Sequence, residues 1–191
     1  MGATAEAALR IGIIGWDSNA ISLAEGWVGE HRLIVGMPDP DGLCGRAVEQ
    51  ALPRAMLLEV EDASGADLVV LTVPATAVAR TAIQMGDLEG RILVDCSWGP
   101  EDPHLGEQSG AEALQLLMPN ARVVRAVPYE AWTLTNGVHL CGDEDEAVDR
   151  VSELFESAGW QVSRIGVLRR ARSLKRVHAT RHEDGPLHVV S

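Results

Sequence analysis

Short, unbroken apolar runs alternate with longer amphipathic segments along this chain, and this alternation constrains the fold more than any other feature. The first run, Leu9 to Ile14, leads directly into Gly15 and then into a helical segment near Ile21 to Val28. A strand that is apolar at every position is typical of a parallel sheet covered by helices on both faces. Further strands are predicted over 32–37, 55–60, 67–73, 91–96, 122–127, 138–141 and 161–165. The pattern predicts an α/β fold of the Rossmann type, with a doubly wound, mostly parallel sheet and helices on both faces.

The length of 191 residues suits one domain with a continuous core. We expect a single Rossmann-like, dinucleotide-binding domain over 1–176 and a polar tail over 177–191. The tail carries His178, His182 and His188, with Gly185 and Pro186 between them. A solvated tail is favoured over a metal site, because this spacing implies no fixed ligand geometry.

An acidic stretch from Asp143 to Glu146 precedes an amphipathic segment. Asp143 is predicted to cap the following helix, whose first turn then carries negative charge against the helix dipole. A calcium loop is the alternative. It is disfavoured because the glycine and the final glutamate of an EF-hand are not at the required spacing. No metal site is therefore predicted.

The formal net charge of −12 argues against binding to nucleic acid or to an anionic membrane surface. No segment reaches the roughly 20 apolar residues of a membrane span, and the first ten residues lack the basic and apolar regions of a signal peptide. The three cysteines are widely spaced and form no CxxC pair, so they are predicted to be reduced thiols. We expect a cytoplasmic protein that acts on a small molecule.

The turn after the first strand has the context of a dinucleotide-binding loop but not its full set of glycines. Gly15 stands at the first glycine of G-x-G-x-x-G, while Ser18 and Ile21 occupy the other two positions. Bare backbone at these positions lets the pyrophosphate approach a helix N-terminus. Asp17 would also repel a phosphate. Weakened or displaced binding and an empty scaffold both remain open.

The end of the second strand determines the choice between NAD and NADP in this fold. The sequence there is Met37, Pro38, Asp39 and Pro40. Asp39 could bind the ribose hydroxyls of NAD, or it could simply form a turn between the two prolines. No basic site for the extra phosphate of NADP is visible.

Several collinear segments resemble the coenzyme F420:NADP oxidoreductases. They are Ile11-Gly12-Ile13-Ile14-Gly15 with Asn19, the run 67–74, Gly90 to Asp95, Ser109 to Glu112, Ala121 to Ala126, Cys141 to Glu144, and Gly166 to Leu174. The resemblance covers Ile11 to about Arg176.

The resemblance implies hydride transfer between a nicotinamide cofactor, NADP or NAD, and a deazaflavin (F420) or another small molecule. Such transfer needs positioning and no obligatory acid or base, so no catalytic residue is assigned. It also implies a homodimer. The cofactor would contact one set of loop residues: Gly15, Trp16, Ser18, Asn19, Ala20, Met37, Asp39, Thr72, Val73 and Pro74. The second substrate would contact Ser97, Trp98, Val127 and Pro128.

The departures from the family lie on the cofactor side of the sheet. Met37-Pro38 replaces a Ser-Arg pair, Ser97-Trp98 replaces Asn-Pro, and Val127-Pro128 replaces Phe-Asn. A divergent oxidoreductase is the first hypothesis. The second is a relative that has lost its cofactor and binds a partner protein or a biosynthetic intermediate. A third is an enzyme for a tailored natural product, with Trp16, Trp98 and Trp132 forming an aromatic pocket; ordinary loop packing would explain the same residues.

Overall fold

A computed structural model describes residues 8–101, 103–128 and 136–174, and it confirms the predicted Rossmann-type architecture. The strands are β1 (Arg10–Ile14), β2 (Arg32–Gly36), β3 (Met56–Leu58), β4 (Leu68–Leu71), β5 (Ile92–Asp95), β6 (Arg122–Pro128), β7 (Gly137–Gly142) and β8 (Gln161–Arg164). They form one sheet in the order β3-β2-β1-β4-β5-β6-β7-β8. Strands β1 to β6 run parallel, β7 pairs antiparallel with β6, and β8 runs parallel to β7.

The helices cover both faces of the sheet. They are α1 (Ser18–Trp27), α2 (Leu43–Ala51), α3 (Val60–Ala63), α4 (Val78–Met85), α5 (Gly110–Leu117) and α6 (Asp145–Ser157). Short 3₁₀ segments lie at Ala75–Ala77, Pro103–Leu105 and Leu168–Arg170. None of the helices within the described ranges is long and apolar enough to cross a membrane.

Two apolar clusters hold the layers together, one on each face of the sheet. On one face the Trp27 ring of α1 meets Phe155 of α6 edge to face, with ring centroids 5.5 Å apart, and Trp27 Nε1 donates to the carbonyl of Leu154 at 3.1 Å. On the other face α3, α4 and α5 bury Ala63, Ala82 and Leu114 against the strands. Gly12 allows α3 to pack closely, because a Cβ there would overlap the carbonyl oxygen of Ala63.

The strand order reverses between β1 and β4, which are adjacent in the sheet although two strands separate them in the chain. The connections from β1 and from β4 therefore lead away in opposite directions, and a crevice opens between them at the carboxyl ends of the strands. Ligands bind at this crevice in open α/β sheets.

Two local predictions were wrong. The strand expected over 55–60 ends at Leu58, because Val60 already begins the short helix α3. Asp143 does not cap α6; the helix begins at Asp145 after Glu144, and Asp143 Oδ1 accepts a hydrogen bond from the Leu168 amide at 2.9 Å. Asp143 therefore stabilises the turn after β8. The expected tail and its histidines lie outside the described residues.

Candidate functional site

A cleft of about 400 Å³ opens at the carboxyl ends of β1, β2 and β4. The walls come from the ends of these strands, the start of α3, and the inner side of α4. The lining residues are Ile14, Gly15, Gly36, Pro38, Val60, Val73, Pro74, Ala77, Arg80, Thr81 and Gln84. Most of these residues expose apolar side-chain atoms or main-chain atoms to the cleft, and such a lining suits a flat, largely apolar ring.

Gly15 forms the turn between β1 and α1 at a point where the chain has no room for a side chain. Its φ is +103°, and a Cβ would lie 3.0 Å from Cγ1 of Val73 and 3.1 Å from the carbonyl oxygen of Thr72. The Gly15 amide donates to the carbonyl of Gly36 at 3.1 Å. The turn is thus fixed between β2 and β4, at the centre of the crevice.

The three residues after β4, Thr72 to Pro74, do not all face the cleft. Thr72 is buried, and its hydroxyl donates to the carbonyl of Ile14 at 3.2 Å, so this side chain holds the β1–α1 turn. Val73 and Pro74 line the cleft. Two of the three residues expected to border the cofactor therefore face the cleft.

The N-terminus of α1 is capped by the carboxylate of Asp17. Oδ1 of this side chain accepts from the Ala20 amide at 2.8 Å, and Oδ2 accepts from Nδ2 of Asn19 at 3.3 Å. Ser18 is exposed as the first residue of the helix, and Ala20 is buried. A carboxylate of the protein thus takes the helix-terminal position that a pyrophosphate takes in dinucleotide-binding loops.

The residues expected to select the cofactor after β2 do not line the cleft. Met37 is buried in a small cluster with Val35 and Val48, and the half-buried Trp16 packs against the same cluster. Asp39 is exposed, with its carboxylate turned towards the backbone of Gly42. Only Pro38 from this segment reaches the cleft wall.

Trp98 follows β5 beside the Pro74 loop. Its amide donates to the carbonyl of Val73 at 3.3 Å, and its carbonyl accepts from the Ala75 amide at 2.7 Å. The residue is 40% exposed, so the indole is available at the rim of the crevice. Val127 and Pro128, by contrast, are buried where β6 pairs with β7. Trp132 lies outside the described residues.

A buried ion pair joins the end of β5 to the middle of β6, and sequence reasoning missed it. Arg125 Nη1 lies 2.9 Å from Oδ1 of Asp95 and donates to the Ser97 hydroxyl at 2.8 Å. The Ser97 amide donates to the same Asp95 oxygen at 2.9 Å. Ser97, expected to contact a substrate, is therefore engaged in this network and only 8% exposed.

The surroundings of Arg125 shift the pKa of its guanidinium in opposing directions. Burial acts to lower this pKa, but the neighbouring acidic groups, of which Asp95 has the largest effect, together outweigh burial, so the pKa lies above its ordinary value. Burial also raises the pKa of the adjacent Cys96 thiol, which excludes a reactive thiolate at this position. A signal for the pair was present in the sequence, because an acid ends one apolar strand and a base interrupts the next one, and the two residues pair in the sheet.

The chain is similar in sequence to known oxidoreductases. The model of the family described as NADP oxidoreductase, coenzyme F420-dependent, matches residues 10–99. The chain is 31% identical over 178 residues to the metalloreductase STEAP3 of Rattus norvegicus, an alignment that covers 88% of this chain and 36% of the rat protein. The chain thus spans about a third of the length of that relative.

Two solved structures share the fold. A candidate F420-dependent NADP reductase from Arthrobacter sp. FB24 superposes with a TM-score of 0.80 at 23% identity, covering 92% of this chain and 93% of that one. A reductive aminase from Aspergillus terreus, solved with NADPH, gives a TM-score of 0.71 at 14% identity, covering 93% of this chain and 62% of the aminase.

Proposed function

We propose that this protein is an NADP-dependent oxidoreductase that transfers hydride between the nicotinamide and a deazaflavin or another small molecule. The proposal starts from the match of residues 10–99 to the model of the coenzyme F420-dependent NADP oxidoreductases. One structural observation carries the proposal. The cleft lies at the point where the strand order reverses, with the tight Gly15 turn at its centre. This is where an open α/β sheet binds a dinucleotide.

The residues of the cleft fit the adenosine half of the cofactor. Gly36 and Pro38 would lie on one side of the adenosine and Val73 and Pro74 on the other, with Val60 at the base. The bare backbone at Gly15 would allow the chain of phosphates to pass close to β1. Asn19 and Ser18 would supply polar groups at the start of α1.

Asp17 limits this fit, because its carboxylate holds the Ala20 amide that would otherwise point at a phosphate. Rotation of the side chain would free the amide at the loss of one helix cap, about 1 kcal/mol. The cofactor therefore fits this loop with one side-chain movement. We expect binding weaker than that of a loop with all three glycines.

A bound nicotinamide would supply a hydride to the second substrate, and the product would take up its proton from water once the hydride has been transferred. The residues of this chain have only to hold both molecules in contact and keep water out. Trp98, exposed beside the Pro74 loop, would cover the reacting ring. Arg125 and Asp95 fix Ser97, and hence the backbone from which the Trp98 side chain projects.

The test is direct binding followed by turnover. NADPH, NADH and coenzyme F420 are titrated separately into the purified protein while Trp fluorescence is followed, since Trp16 lies in the turn before α1. Micromolar binding of NADPH, with loss of its absorbance at 340 nm when F420 is added, supports the proposal. If neither nicotinamide cofactor binds, the proposed oxidoreductase function is wrong.

A second candidate function is supported by the Asp17 cap. A helix N-terminus already satisfied by a carboxylate of the protein has less need of a phosphate. A Rossmann scaffold that binds a partner protein or a biosynthetic intermediate, without hydride transfer, would have this feature. Turnover at ordinary enzyme rates in the assay above rules this alternative out.

The homodimer expected from the resemblance belongs to the proposal. The mass of one chain is 20.5 kDa, so light scattering distinguishes one copy from two without ambiguity. A mass near twice this value supports the dimer, and the mass of a single chain contradicts it.

A further inference from the structure

Of the described residues that line the cleft, Arg80 is the one that carries a charge. It lies on α4, across the cleft from Gly36 and Pro38 at the end of β2. The side chain is exposed, and no ion pair to it is found within the described residues. A guanidinium at the edge of an apolar cleft can bind an anionic group through two parallel hydrogen bonds.

The opposite charge is missing from the cleft wall. Selection of a free ribose needs a carboxylate at the end of β2, because its oxygens accept from the two hydroxyls. Asp39, the acid nearest that position, turns its carboxylate towards Gly42 and does not line the cleft. Among the described residues, the adenosine end of the cleft therefore offers a cation and no carboxylate for a ribose diol.

We propose that Arg80 binds the phosphate on the adenosine ribose, so that α4 supplies the selection for NADP that a residue directly after β2 usually supplies. The inference rests on the proposed function, because it requires a nucleotide in the cleft. It also accounts for the loss of a basic residue at Met37-Pro38, because the cation now comes from across the cleft. The ligand class is an adenosine nucleotide that carries a phosphate on the 2′ oxygen.

The experiment compares two pairs of ligands on three proteins. Adenosine 2′,5′-bisphosphate is compared with 5′-AMP, and NADPH with NADH, by calorimetric titration. The proteins are the wild type, Arg80→Gln, and Arg46→Gln as the matched control. Arg46 is an exposed arginine of α2 that does not line the cleft.

The wild type should prefer the bisphosphate and NADPH by tenfold or more. Arg80→Gln should remove that preference while leaving the affinity for 5′-AMP and NADH within about twofold, since a charge-assisted hydrogen bond acts only on the extra phosphate. Arg46→Gln should behave as the wild type, and Arg80→Lys, added as a fourth protein, should recover part of the preference.

The outcomes separate this inference from the proposed function. Equal affinity of the wild type for both members of each pair, or a preference that survives in Arg80→Gln, overturns the role of Arg80 and leaves the proposed hydride transfer from a nicotinamide cofactor intact. Nucleotide binding without hydride transfer overturns the proposed function but keeps Arg80 as a phosphate ligand. No nucleotide binding at all overturns both.

Discussion

Among single residues, Asp17 has the clearest effect on what the β1–α1 turn can bind. Its carboxylate satisfies the Ala20 amide and places a negative charge where a pyrophosphate would lie. Two unit charges 4 Å apart repel by roughly 1 to 4 kcal/mol at the effective dielectric constants of a protein surface. Asp17→Asn removes the charge and keeps the cap, because asparagine caps helices about as well as aspartate.

We therefore expect Asp17→Asn to bind NADPH at least about fivefold more tightly, with little change in the free energy of unfolding. Calorimetric titration and urea denaturation measure the two quantities. Glu25→Gln is the matched control, since Glu25 is exposed on the same helix about two turns further along. An unchanged affinity for NADPH in Asp17→Asn would mean that the phosphates avoid the start of α1.

At the scale of single residues, the sequence predicted the position of some site residues correctly and that of others not. Gly15 was assigned correctly to the tight turn, because a strand that runs into glycine and then a helix has few other geometries. The burial of Met37 and the direction of the Asp39 carboxylate were not predictable, because both depend on how α2 packs over the end of β2. Arg80 was missed because it lies on a helix face that only the tertiary structure brings to the cleft.

At the scale of elements, Glu112 joins the start of α5 to the segment after β8. It completes a capping box with Ser109 and makes two hydrogen bonds with Arg172, at 2.7 and 2.8 Å. The hydrogen bonds from Arg172 lower the pKa of Glu112 to about 2, against the opposing effect of burial. Because the pKa in the folded state lies below the unfolded value, the contribution to stability is complete above about pH 4.5 and is lost as the pH falls towards 2.

Glu112→Gln should therefore lower the free energy of unfolding by about 1 to 2 kcal/mol at pH 7, and the difference from the wild type should shrink as the pH falls below about 4.5. Urea denaturation at a series of pH values measures this. Glu153→Gln is the control, since the pair of Glu153 with Arg150 is exposed and should contribute little. A difference that is independent of pH would show that the charge of Glu112 has no part in the effect.

The strands β5 and β6 are joined by the buried pair of Asp95 and Arg125. Loss of one partner from a buried pair typically costs 3 to 5 kcal/mol, because a charge is left unpaired. We expect Arg125→Met to lower the free energy of unfolding by about this amount, and the double variant with Asp95→Asn to recover part of it. A loss below about 1 kcal/mol in the single variant would contradict the buried pairing.

Elements were predictable where the apolar pattern was long enough to show its period. Strands such as β4, buried at every position, stood out as continuous apolar runs. The helix α3 did not, because its four residues are too few to show a helical period next to an apolar strand. The start of α6 was misplaced because four consecutive acidic residues offer several equivalent caps.

At the scale of the whole molecule, the architecture followed from the alternation of strands and helices, and the crevice followed from the architecture. What the sequence did not determine was the local charge of that crevice, which opposes the charge of the chain. The protein carries a formal net charge of −12, while Arg80 is the only charged residue lining the cleft within the described part of the chain. We therefore expect an anionic nucleotide to be repelled at long range and attracted at contact.

These two effects respond differently to salt and can be separated by kinetics. Raising the ionic strength from about 0.01 M to about 0.1 M shortens the screening length from about 30 Å to about 10 Å, which weakens the repulsion by the rest of the molecule. We expect the association rate constant of NADPH, measured by stopped-flow fluorescence, to rise several-fold over this range. The dissociation rate constant should also rise, because salt weakens the contact between Arg80 and the phosphate.

Arg80→Gln distinguishes the long-range effect from the local one. This variant should keep the salt dependence of association, because the loss of one arginine changes the formal net charge only from −12 to −13. It should lose most of the salt dependence of dissociation. An association rate constant that falls with salt in the wild type would contradict long-range repulsion. It would show that the positive potential of the cleft acts at a distance and accelerates the encounter with the nucleotide.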